Sequence, residues 1–111
     1  MISQLKQQDV DLWEAWIEYD QFDSSFFGTL YIIGEIRVDQ KSEQPPELLK
    51  NSHYSSNTKL ILHAPPRSVG HSCMKEVLYS ERVKNPAQYT SIRIYSGDNL
   101  IARFSEIEVL F

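Results

Sequence analysis

The chain has 111 residues, 41% of them hydrophobic and 12% aromatic, with a formal net charge of −4. One compact core can form at that length and a second cannot, so a single domain over residues 1–111 is expected, its rings supplying enough buried area without metal or disulfide staples. The composition excludes disorder and an apolar span of the roughly 20 residues needed to cross a bilayer, and the negative charge weighs against binding a phosphate backbone, so neither nucleic acid nor membrane is an expected partner.

The one cysteine, Cys73, cannot form an intrachain disulfide, and the N-terminal residues lack the apolar core of a secretory signal. A reducing cytoplasm is the expected location. Charge is uneven along the chain: residues 1–58 hold four Lys/Arg against ten Asp/Glu, whereas residues 59–84 hold five against two. The basic segment either faces the acidic one or forms an anion-binding face around Lys59, Arg67, Lys75, Arg82 and Lys84.

In chain order, Leu12 to Tyr19 fits two patterns. As a strand it directs Trp13, Ala15, Ile17 and Tyr19 inward and Glu14 and Glu18 outward; as a helix it groups Val10, Trp13, Trp16 and Ile17 behind an Asp11/Glu14 capping box. The strand is preferred, because residues 21–28 then close a long hairpin onto Thr29 to Val38. That second segment alternates Leu30, Ile32, Gly34, Ile36 and Val38 against Tyr31, Ile33, Glu35 and Arg37, and apolar residues on both faces at its start mark a central strand. Gly34 inside it indicates a bulge, a bend or a close neighbour such as a Trp ring.

Residues 40–57 are polar and form an excursion, the likeliest mobile part, in which 45–50 can make one helical turn with Pro46 at its first position. Thr58 to Ala64 reads as a short strand stopped by Pro65 and Pro66. Met74 to Val83 again fits two patterns, a helix capped by Ser72 or a strand with Val77, Tyr79 and Val83 on one face. Residues 90–104 are the clearest hairpin, turning at Ser96-Gly97-Asp98-Asn99. A three-residue loop, 97–99, places Ile92 and Ile94 with Phe104 and Ala102, and sets Arg93 opposite Arg103. The apolar parity is even at Leu100, Ala102 and Phe104 and odd at Ile107, Val109 and Phe111, which requires a bulge or bend near Ser105 and Glu106. Such a bend lets one long strand serve two sheets or curl round a barrel corner, and the apolar end 109–111 has to pack within the domain or against a partner.

The fold expected is a mainly β domain of about six strands, an antiparallel β-sandwich or a small partly open β-barrel with one short helix at most; the alternative is α+β. No catalytic set emerges. Residues 70–74 begin like the nucleophile elbow of α/β-hydrolases, but Met74 replaces the second Gly and no His follows residue 71. The four glycines, at 28, 34, 70 and 97, form no phosphate loop, and no cofactor is expected. His53, His63, His71 and Cys73 cluster in sequence with ligand chemistry that zinc favours but in no familiar zinc spacing; His63, His71 and Cys73 are the weak metal candidates.

The strongest functional signal is aromatic. Trp13, Trp16, Tyr19, Phe22, Phe26, Phe27 and Tyr31 fall within 19 residues, too many for one strand face; either they form the core, or part of the set, especially Trp16, Phe22, Phe26 or Phe27, lines a ligand pocket or an interface. The leading expectation is a non-enzymatic protein-interaction module, self-associating as a homodimer through an edge strand or an aromatic patch. A small-molecule-binding β-barrel walled by residues 13–31 comes second, and a metal-binding protein is a distant third.

Overall fold

A computed structural model describes residues 13–39, 46–51, 59–64 and 72–111. Eight strands run through them: β1 (Glu14–Tyr19), β2 (Gly28–Asp39), β3 (Leu49–Lys50), β4 (Lys59–Ala64), β5 (Ser72–Val83), β6 (Ser91–Ser96), β7 (Asn99–Phe104) and β8 (Glu108–Leu110). They form two four-stranded sheets, β5-β2-β1-β8 and β3-β4-β6-β7, with no closed barrel. The mainly β expectation holds in a sandwich-like form, and no helix occurs among the described residues. The strands outnumber the six expected, and the sheets are mixed rather than purely antiparallel, because β8 runs parallel to β1 and β6 parallel to β4.

Both ambiguous segments are strands. β1 pairs antiparallel with β2, Glu14 opposite Ile33 and Tyr19 opposite Gly28, so residues 20–27 close the expected long hairpin. β5 spans twelve residues along the other side of β2, from Gly28 opposite Val83 to Asp39 opposite Ser72, which makes β2 the central strand. Ser72 therefore opens a strand and not the strand-to-helix turn of a hydrolase elbow. Alternation decides which residues enter the interior. Ile17, Leu30, Ile32, Ile36, Val77 and Val83 point in from one sheet, and Leu60, Leu62, Ile92 and Ile94 from the other, all ten fully buried. Each such side chain contributes about 1.5–3 kcal/mol relative to exposure, and most are β-branched residues that suit a pleated surface.

Gly34 resolves as the close approach of a ring. A Cβ built on it would lie 2.2 Å from two atoms of the Trp13 indole, so the ring lies flat on the glycine backbone. Trp13 is thereby a core residue.

The β6–β7 hairpin corrects one detail. Ile92 pairs with Phe104, Arg93 with Arg103 and Ile94 with Ala102 as expected, but the turn has two residues, Gly97 and Asp98, and the register shifts beyond Ile94. Ile101 is the extra residue of a bulge on β7, and both it and Ala102 are buried. Gly97 has φ 61°, the requirement of a type II′ turn, and among the described residues no non-glycine residue has positive φ. A second correction concerns residues 46–50: Leu49 and Lys50 pair with His63 and Leu62 as β3, so no helical turn forms there. Pro45, Pro65 and Pro66 lie outside the described residues, as does most of the excursion 40–57.

The two long sides of the sandwich are closed differently. On one side the chain leaves β7, bends at 105–107 as the parity change requires, and enters the other sheet as β8. On the other side β5 and β3 are held by side chains. Glu81 accepts from the Tyr79 hydroxyl at 2.6 Å, from the Tyr89 hydroxyl and from Lys50 Nζ at 3.2 Å, and Lys50 also donates to Tyr89 at 2.9 Å. Burial, then the bond to Glu81, pushes the Tyr79 hydroxyl well above its ordinary value, and the Tyr89 bond raises Lys50.

Candidate functional site

The β1–β2 loop begins with two carboxylates that organise their own backbone. Asp20 Oδ1 accepts from the Phe22 amide at 2.9 Å and Asp23 Oδ1 from the Ser25 amide at 2.9 Å, two Asx turns that fix the chain locally. Their other oxygens converge on Arg82 of β5: Nη2 lies 3.1 Å from Asp20 Oδ2 and 2.7 Å from Asp23 Oδ2, while Nη1 donates to Thr29 Oγ1 at 2.9 Å. The guanidinium also sits 5.0 Å from the centre of the Phe26 ring, a cation–π contact. The Phe22 amide and, after it, Arg82 hold the Asp20 carboxyl below its ordinary value. A bond from the Phe27 amide to the Val83 carbonyl, 2.9 Å, fixes the far end of the loop.

The loop so clasped presents Phe22 at its tip, 89% exposed. Beside it, Tyr19 contacts Phe27 at 5.2 Å and Phe111 at 5.4 Å between ring centroids, and Phe27 meets Phe111 edge-on at 6.2 Å. Phe111 is itself 92% exposed. Tyr19, Phe22, Tyr31, Arg82 and Phe111 border an open hollow of about 350 Å³, with Glu18 and Asp20 also on its walls.

The seven aromatics of residues 13–31 thus separate into four roles. Trp13 is core; Phe26 lies against Arg82; Tyr19, Phe22 and Phe27 gather at the hairpin end; Trp16 and Tyr31 stack at 5.7 Å on the outer face of the β1–β2 pair. Phe111 completes the end cluster, and its only advance signal is the odd parity of Ile107, Val109 and Phe111. Trp16 also borders a second hollow, about 520 Å³, with Glu14, Phe104, Glu108 and Leu110, and its Nε1 is buried without a hydrogen-bond partner among the described residues.

The described members of the basic set are not brought together. Arg82 is engaged by Asp20 and Asp23, Lys75 lies seven residues away on the opposite face of β5, Lys84 follows that strand, and Lys59 belongs to the other sheet. Arg67 lies outside the described residues, with His53 and His71. Of the weak metal candidates, His63 on β4 bonds Asn51 at 3.1 Å and stacks on Tyr95, whereas Cys73 is on β5, in the other sheet. Among the described residues no group of three or more His, Cys, Asp or Glu is placed to hold a metal ion, and none of their helices is long and apolar enough to cross a membrane.

No protein-family model, no curated protein and no solved structure matches the chain. The fold and the site stand on their own geometry.

Proposed function

We propose that this protein is a non-enzymatic interaction module that pairs with a second copy of itself through the aromatic end of the β1–β2 hairpin. The observation that carries the reading is Phe22, almost fully exposed on a loop that two Asx turns, two ion pairs and a cation–π contact hold in place. Exposing a large ring on a rigid loop costs solvation in the free protein, and rigidity lowers the entropy lost when a partner covers it. Aromatic anchors of this kind dominate binding energy at interfaces.

A second copy fits because knob and hollow share one face. Under a two-fold axis the same patch must be complementary to itself, and here Phe22 and Phe111 project beside a hollow that they partly border. Light scattering at micromolar concentration tests this: the expected mass is twice the 12.9 kDa of one chain, falling to that of one chain in Phe22→Ser/Phe111→Ser. A wild-type protein that stays monomeric throughout a concentration series contradicts it.

One observation favours a second reading, a small-molecule site at Trp16. Its unpartnered indole nitrogen beside the 520 Å³ hollow offers a buried donor to a ligand acceptor. Quenching of tryptophan fluorescence by apolar acceptor compounds, weakened in Trp16→Phe, is the expected result; a flat response across a diverse panel rejects it.

A further inference from the structure

The β3-β4-β6-β7 sheet has an unusual charge content: none of its four strands contains Asp or Glu, yet they carry Lys50, Lys59, Arg93 and Arg103. Arg93 and Arg103 stand directly opposite each other on β6 and β7. Their neighbours Ile92, Ile94 and Ala102 are buried, so both arginines project from the outer face of the sheet. Side chains in directly opposed positions start about 5 Å apart at Cβ, and like charges there destabilise the pair. The hairpin nevertheless adopts this register, with the bulge at Ile101 maintaining it beyond a two-residue turn.

Arg93 adds a second anomaly. Its Nε is buried and has no hydrogen-bond partner among the described residues, a position that costs the desolvation of a charged donor without return. A repulsive pair and an orphaned guanidinium nitrogen at one place have a common remedy, an anion between the two side chains. We infer that Arg93 and Arg103 form a binding site for the phosphate group of a small molecule.

The chemistry favours phosphate over a carboxylate. Two guanidiniums bring two positive charges and two planar forks of N–H donors, and a phosphate dianion supplies two negative charges and enough oxygens to accept from both forks. A carboxylate neutralises one arginine and leaves the other opposed. The stacked His63 and Tyr95 rings lie one row further along β4 and β6, about 7 Å away by strand rise, within reach of an organic group that carries the phosphate.

The test is calorimetric titration with inorganic phosphate and with phenyl phosphate at fixed ionic strength, run on wild type, Arg93→Gln, Arg103→Gln and the control Lys84→Gln. Saturable binding is expected, weakened about tenfold or more by either arginine change and unchanged in Lys84→Gln; the tighter of the two probes tells free anion from ester. In phosphate-free buffer, relief of the repulsion makes Arg103→Gln melt at a higher temperature than wild type, and phosphate raises its Tm less. The site is overturned if neither probe saturates, if Lys84→Gln loses as much affinity as the arginine variants, or if Arg103→Gln melts below wild type without phosphate, which would mark the arginine as structural.

Discussion

Replacing Gly34 by Ala adds one methyl group to the middle of β2, and two effects of opposite sign compete. Ala restricts the unfolded chain and suits a strand better than Gly, worth about 0.5–1 kcal/mol in favour of the variant. Against this, the new Cβ would lie 2.2 Å from Trp13 Cδ2 and Cε3 and 2.7 Å from Cε2. Carbon atoms in contact sit at about 3.5–4.0 Å, so the ring has to retreat by more than an ångström. Trp13 is buried, so its ring cannot simply swing out into solvent. Overpacking of this kind costs about 1–3 kcal/mol, and a displacement this large belongs at the top of that range. The net loss is then about 2 kcal/mol, or roughly 8–16 °C in Tm at 4–8 °C per kcal/mol. Urea unfolding followed by tryptophan fluorescence reads the loss, and the same change in a Trp13→Leu background isolates its cause. Without the indole, Gly34→Ala is expected to be neutral or stabilising. A Gly34→Ala variant more stable than wild type, or an equal loss in both backgrounds, would refute the packing argument.

Tyr89→Phe removes the hydroxyl that donates to Glu81 and accepts from Lys50, and should cost about 1–3 kcal/mol in urea titration; a change within 0.5 kcal/mol, about the level of a neutral surface substitution, would deny the side-chain closure of β5 onto β3. Tyr79 has a folded-state pKa above its ordinary 10.0, so above pH 10 the unfolded chain releases a proton that the folded protein retains, and stability falls as pH rises. Tyr79→Phe should flatten that alkaline fall, and an unchanged slope would assign it elsewhere. Asp20 is shifted the other way: its stabilising effect is present above the ordinary 3.8 and is lost as pH falls through the depressed folded value. An NMR titration should place its midpoint below 3.8, and Arg82→Gln should raise it only part of the way, because the bond from the Phe22 amide, the largest single cause, remains; full restoration would contradict a role for that amide.

What the sequence revealed was mostly local and periodic. Gly34 inside an alternating strand left a bulge, a bend or a close ring open, and the structure selects the Trp13 ring. The parity change between Phe104 and Ile107 called for a bulge or bend, and the structure shows the bend carrying the chain from one sheet to the other. Arg93 and Arg103 face each other because their hairpin is short enough for the turn to set the register, although dividing the spare residue between turn and bulge required seeing Ile101 buried. The parallel pairs were not legible, since β1 meets β8 and β4 meets β6 through contacts that no local pattern encodes. Residues 45–50 illustrate the same limit. Pro46 followed by Glu-Leu-Leu-Lys has helical propensity, but the open edge of β4 offers ladder bonds to Leu49 and Lys50, and tertiary pairing overrides a weak local preference. The clasp at Arg82 joins residues 59 and 62 positions apart, so the charge asymmetry allowed the basic segment to face the acidic one without indicating that Arg82 meets Asp20 and Asp23.

The proposal that two copies meet through the hairpin end can be tested at the residues themselves. A nitroxide attached through Gln21→Cys in a Cys73→Ser background, mixed with unlabelled nitrogen-15 protein, reports only contacts between chains. The expected result is selective broadening of the amides of Tyr19, Phe22 and Phe111 in the unlabelled copy, lost on dilution and in Phe22→Ser/Phe111→Ser. Uniform spectra at concentrations up to the solubility limit, or broadening confined to another face of the sandwich, would contradict self-association through this end.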